Sequence, residues 1–122
     1  MSYSNENIQK ASKVFFYLLK NKVVSINDSL GNEYIENLEV REIVKTMADE
    51  GGLIVFHVGG NIHLVSNSYD SMFATSYTHM KSRYKGLKKK KYFYLANIII
   101  CIFLSEMDKE KFVRLRAEEE GI

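Results

Sequence analysis

The sequence has no proline and no tryptophan, and it holds one cysteine and seven thinly spread glycines. Without proline- or glycine-rich stretches there is no collagen-like, linker-like or low-complexity segment. A lone Cys101 inside an apolar run excludes a disulfide scaffold and a four-ligand zinc site, and a reducing, cytoplasmic location is the expectation. A secretory start is missing too: residues 1–10 are polar and carry Glu6 where a signal needs a positive end followed by an apolar stretch, so export is not expected. The longest apolar run, residues 92–104 (YFYLANIIICIFL), has thirteen residues and is interrupted by Asn97. At about 1.5 Å per residue it spans roughly 20 Å against the ~30 Å of a bilayer core, which points to a buried or interface helix rather than a membrane span.

Catalytic patterns are missing as well. Gly51, Gly52, Gly59 and Gly60 form neither nucleotide-binding fingerprint, because each pair flanks a strand. No acyl-transfer triad is visible, and burial of Cys101 among isoleucines would make it a poor nucleophile. Glu36, Glu39 and Glu42, at three-residue spacing, read as a solvated helix face rather than an acid/base pair. The expectation is a protein that is not an enzyme and takes no cofactor or metal.

What is present suits a small globular α+β protein. The chain of 122 residues is 46% apolar and 26% charged, enough apolar surface for one core and too short for two ordinary domains. Ser4 or Asn5 caps a first amphipathic helix with Ile8, Ala11, Val14, Phe15, Leu18 and Leu19 on its apolar face, ending near Asn21. Val23 to Ile26 reads as a brief strand entering a polar turn at Asn27, Asp28 and Ser29, with Gly31 and Asn32 close behind. Tyr34 and Ile35 begin a short helical turn, and Asn37 caps a second clear helix that ends at Gly51 and Gly52.

LIVFHV, then Gly59, Gly60 and Asn61, then IHLVS predicts a hairpin. With a three-residue loop, Val58 pairs with Ile62, Phe56 with Leu64 and Ile54 with Ser66, and His57 stands opposite His63. Two facing histidines without a recognisable third ligand read as exposed structural residues, not a zinc site. A further helix runs from Met72 to about Tyr84, with Met72, Phe73, Tyr77 and Met80 on one face, and Gly86 breaks it. The last helix runs from about Lys89 to Met107 and resumes through Phe112, Val113 and Leu115 before a frayed acidic tail at Glu118, Glu119 and Glu120.

The order helix, short strand, helical turn, helix, hairpin over residues 5–66 resembles a winged-helix domain. Within it, NLEVREIVKTMADEGGLIVFHVGGNIHLVS, from Asn37 through Ser66, looks like a recognition helix and wing. It also resembles the N-terminal domain of MukE-like kleisin-interacting (KITE-type) subunits of bacterial SMC complexes. The resemblance implies a winged-helix domain over residues 1–68, followed over 69–122 by helices that pack on it or form an oligomer interface, with a kleisin-like protein as partner.

Charge narrows the role. Six basic and nine acidic residues lie through Asp70, seven basic and no acidic ones between Ser71 and Ser105, and four basic and six acidic ones thereafter. The helix from Glu39 to Glu50 carries net charge −2, which repels phosphates and disfavours sequence-specific readout. The middle block, Lys81, Arg83, Lys85, Lys88, Lys89, Lys90 and Lys91, interleaved with Tyr77, Tyr84, Tyr92 and Tyr94, is the candidate contact for nucleic acid or an acidic partner. The bland reading of that block is a solvated face.

The last helix is apolar almost all round, and Tyr92, Phe93, Leu95, Ile98, Ile99, Ile102 and Phe103 are the candidate oligomer interface. The functional expectation is a noncatalytic interaction module that forms homo-oligomers and serves as an accessory subunit of an SMC-like chromosome or plasmid-defence complex. The alternative is a dimeric DNA-binding transcriptional regulator using the basic stretch.

Overall fold

The computed structural model describes residues 3–119, with side chains as far as residue 110. It is a mixed α and β structure whose elements follow in the order α1 (Asn5–Asn21), β1 (Val23–Ser25), α2 (Ser29–Glu36), α3 (Leu38–Glu50), β2 (Leu53–Val58), β3 (Asn61–Ser66), α4 (Tyr69–Arg83) and α5 (Lys89–Glu119). Two compact units divide the chain, Met1–Met72 and Phe73–Ile122.

In the first unit three helix ends have a clear local cause. The Ser4 hydroxyl accepts from the Asn7 amide at 3.2 Å and caps α1. The α1 helix closes on Lys22, which adopts the left-handed conformation (φ 68°) and returns its amide to the Leu18 carbonyl at 2.8 Å. Asn37 caps α3 by accepting from the Val40 amide at 3.2 Å. The core gathers Ala11, Val14 and Leu18 from α1, Tyr34 from α2, Val40, Ile43, Val44 and Ala48 from α3, and Val24, Val55, Ile62 and Leu64 from the sheet. Ile8 and Leu19 are exposed, so the buried stripe of α1 is narrower than its periodicity predicts.

Where the sequence reads as a polar turn, the chain instead forms two full turns of helix. Asp28 stands at the N-cap of α2, and Gly31 lies buried inside it. The missing side chain is what permits this, since a Cβ on Gly31 would drive into the Ser25 carbonyl. A local composition that favours a turn is overridden by close packing of α2 on β1.

The three strands form one antiparallel sheet in the order β1-β3-β2. The hairpin is one residue tighter than the three-residue loop predicts: Val58 pairs with Asn61, Phe56 with His63 and His57 with Ile62. Gly59, at φ 59°, supplies the positive φ that a two-residue II′ turn needs at its first central position. This one-residue slip exchanges the faces. Leu53, Val55, Ile62 and Leu64 turn to the core, whereas Phe56 and Val58 lie on the reverse face and are still buried. His57 and His63 therefore point to opposite sides of the sheet and cannot share a metal ion.

Gly31→Ala is expected to lower stability by about 1–3 kcal/mol, the range for overpacking a tight site. The readout is the midpoint of urea unfolding, and an unchanged midpoint would show that α2 is not seated against β1.

Candidate functional site

The outward side of α3 is occupied with holding the first unit together. Glu39 accepts from the Ser4 amide at 3.0 Å and from the Asn7 side-chain amide at 2.9 Å. Asn37 donates to Asn7 at 3.1 Å and to Glu33 at 3.2 Å, and Lys10 bridges Glu6 at 3.2 Å and Glu33 at 3.6 Å. Arg41 donates to the carbonyls of Tyr34 and Ile35 and lies over the Tyr34 ring at 5.9 Å, closing the carbonyl end of α2. Arg41, a cation of α3 that could have met a phosphate, is thus a brace within the first unit, as is Glu39. What remains accessible on α3 includes Glu42 and Lys45, both half-buried, and the exposed Thr46, Asp49 and Glu50, a surface that is net negative.

The second unit holds the two features that stand out chemically. α4 and α5 are joined by residues 84–88, and their ring contacts lie inside the unit: Phe73 to Phe93 at 5.2 Å, Tyr77 to Phe93 at 5.3 Å and Tyr77 edge-on to Tyr92 at 5.9 Å. Tyr92 is buried, donates its hydroxyl to the Tyr84 carbonyl and accepts from the Leu87 amide at 3.2 Å. Its role is to fasten the connection, so it is not part of an exposed interface as the sequence suggests. Among the described residues of α4, Met72, Ser76 and Met80 are buried at four-residue spacing.

All seven cations of the basic block are exposed: Lys81 and Arg83 at the end of α4, Lys85 and Lys88 in the connection, and Lys89, Lys90 and Lys91 in the first turn of α5. None has an ion-pair partner among the described residues. Four lie over rings, Lys81 on Tyr77 at 5.9 Å, Arg83 on Tyr84 at 5.6 Å, Lys89 on Phe93 at 5.7 Å and Lys91 on Tyr94 at 5.2 Å. The interleaving of basic and aromatic residues in the sequence thus becomes a set of rings backing the cations. No acidic residue stands in the first turn of α5, where the helix dipole favours negative charge and disfavours lysine.

The second feature is the exposed flank of α5. Among the residues of α5 whose side chains are described, Tyr92, Ala96 and Ile100 are buried, with Leu95, Ile99 and Phe103 half-buried beside them. Phe93, Tyr94, Ile98, Ile102, Leu104 and Met107 are exposed, Tyr94 at 59% and Ile102 at 58%. Of the predicted interface residues, Phe93, Ile98 and Ile102 therefore stand on the surface and Leu95, Ile99 and Phe103 at its edge. Cys101 is also exposed, contrary to the expectation of a thiol enclosed by isoleucines. The reason is helical phase, because Cys101 lies far round the helix from Ala96. α5 continues past Met107 without a break to Glu119, so Glu118 and Glu119 of the expected frayed tail are helical, while Glu120 lies outside the described residues, as do the side chains of Phe112, Val113 and Leu115.

Among the described residues, no group of three or more His, Cys, Asp or Glu is placed to hold a metal ion, and no helix is long and apolar enough to cross a membrane.

His79 on α4 reports on the basic block. Burial, and then the charge of Arg83 one turn along, hold its pKa below the ordinary 6.5. Its contribution to stability is complete above that value and is lost as pH falls through 6.5 toward the folded pKa, where the unfolded chain takes up the proton first. Arg83→Gln should raise the His79 pKa but leave it below 6.5, since burial is the larger cause. An NMR titration of the His79 ring checks this, and an unmoved midpoint would show that Arg83 does not act on it.

A search of curated proteins and of solved structures finds no similar chain. Residues 1–112 match the profile of a family of unknown function (DUF6063). That match takes in the core, the hairpin, the basic block and the apolar flank, and the chain belongs to this family.

Proposed function

We propose that the chain is a noncatalytic winged-helix interaction module that associates with a second copy of itself through the exposed flank of α5. The observation that carries the reading is that α5 leaves Tyr94, Ile98 and Ile102 open to solvent, Tyr94 and Ile102 by more than half, while α3 offers an acidic outer face. An apolar helix flank of this kind is stabilised when removed from water, at about 25 cal/mol per Å² before the costs of association. The winged-helix assignment draws support from the order α1-β1-α2-α3-β2-β3 and from the antiparallel β1-β3-β2 sheet with its tight hairpin. With Arg41 spent inside the fold and the charges left on α3 net negative, α3 is better suited to a protein partner than to a major groove. On this reading the module serves as an accessory subunit, with a kleisin-like segment as partner, in an SMC-like chromosome or plasmid-defence complex of a cytoplasmic kind.

Light scattering on the full chain tests self-association. A dimer is expected at micromolar concentration, and Ile98→Glu with Ile102→Glu should yield a monomer that keeps its helical circular dichroism. A wild-type chain that remains monomeric would remove the reading.

A second reading, a dimeric DNA-binding regulator, is favoured by one observation, the seven exposed cations without ion-pair partners among the described residues. It predicts a mobility shift of random duplex at low salt that weakens steeply as salt rises and disappears when Lys88, Lys89, Lys90 and Lys91 are replaced by glutamate. Absence of any shift at low salt would leave the first reading alone.

A further inference from the structure

The exposed flank of α5 has a finer pattern than its hydrophobicity. Lys91, Tyr94, Ile98, Cys101, Ser105 and Asp108 follow one another at alternating spacings of three and four residues, and all six are exposed. That spacing is the seam of a two-helix coiled coil, on the side of α5 away from Tyr92, Ala96 and Ile100. The seam is apolar in the middle, cationic at its start and anionic at its end. The Lys91 ammonium is held at the seam by the Tyr94 ring at 5.2 Å. Lys88, Lys89 and Lys90 extend the positive end, whereas Glu106 is already paired with Lys109 at 3.7 Å, which leaves Asp108 as the anion of the seam.

We propose that two copies of the chain pair through this seam in antiparallel orientation, about a two-fold axis passing between Ile98 and Cys101. The inference rests on the self-association argued above and adds its direction and register. Reversing the seam on itself brings Ile98 to Cys101, Tyr94 to Ser105 and Lys91 to Asp108 of the second copy. Every pair occurs twice, as an isologous interface requires. Apolar groups then meet at the centre, two hydroxyl-bearing residues at the next level, and opposite charges at both ends. Parallel pairing would stack Lys91 on Lys91 and Asp108 on Asp108, setting like charges at both ends of one seam. A second copy is the favoured occupant because the charge order along the seam is complementary to its own reverse. Pairing in this way also neutralises part of the basic block, so self-association and polyanion binding compete for Lys91.

The experiment uses the full chain in two steps. Light scattering establishes the dimer, and failure there removes the self-association reading itself. Given a dimer, mild oxidation and a non-reducing gel read the direction. Disulfides need Cα atoms within about 7 Å, which the antiparallel register gives to position 98 with Cys101 of the second copy, but not to either position with itself. Ile98→Cys should therefore cross-link strongly, and should lose the cross-link when Cys101→Ser is added. Wild-type chains that link Cys101 to Cys101, or a cross-link that survives Cys101→Ser, would overturn the antiparallel register while leaving the dimer standing. As a second measurement, Lys91→Glu or Asp108→Lys should each weaken dimerisation roughly 3- to 10-fold, as for exposed ion pairs counted twice, and the double variant should recover it. A double variant no tighter than the weaker single one would likewise overturn the pairing.

Discussion

An α-helix apolar on most of its circumference needs neighbours on most of its sides, and α5 has described partners along one stripe only. Tyr92, Ala96 and Ile100 occupy that stripe at four-residue spacing, each on the same side of the helix. Residues 98, 101 and 102 fall on other sides by the 100° step of the helix and stay in water. The apolar surface of α5 thus exceeds the cover that its described neighbours supply. Tyr92 has its role here, since anchoring the connection to the Tyr84 carbonyl and the Leu87 amide fixes which side of α5 is turned inward.

In the first unit the polar residues on the helices act as braces. Asn7, Asn37, Glu33 and Glu39 tie the start of α1 to the junction of α2 and α3, and Arg41 satisfies carbonyls at the end of α2. Such groups fix how the helix ends meet, since each donor and acceptor at a helix end must find a partner. The same use removes them from the surface through which a helix of this kind would meet nucleic acid.

The basic block is a separate matter, because its cations are accessible and backed by rings, and because lysines at the start of α5 oppose the helix dipole. An arrangement that is locally unfavourable in isolation becomes favourable when carboxylates or phosphates approach it. Within the proposed pair, the carboxylates are supplied by the chain itself. The charge segregation visible along the sequence then has a structural meaning, with positive and negative ends of one helix set apart by about 26 Å, the rise of seventeen residues.

Strong periodicity and side-chain chemistry made much of this protein legible from the chain alone. Ser4 and Asn37 mark helix starts, Gly51 and Gly52 a helix end, and the apolar runs around Gly59 and Gly60 a hairpin, because caps and turns depend on residues close in sequence. The exposure of Lys81, Arg83, Lys85 and the four consecutive lysines follows from composition in the same way. Tertiary structure decided what depends on distant neighbours. Gly31 sits inside a helix because β1 passes against it, and the hairpin takes the shorter loop that sets Leu53 and Val55, rather than Phe56 and Val58, beside Ile62 and Leu64 on the core face. Arg41 and Glu39 are drawn inward by α2 and α1. On α5, where nearly every side is apolar, periodicity could not distinguish the inner side from the outer. The contacts of Tyr92 with the preceding turn and with α4 made that choice, leaving Ile98, Cys101 and Ile102 outside.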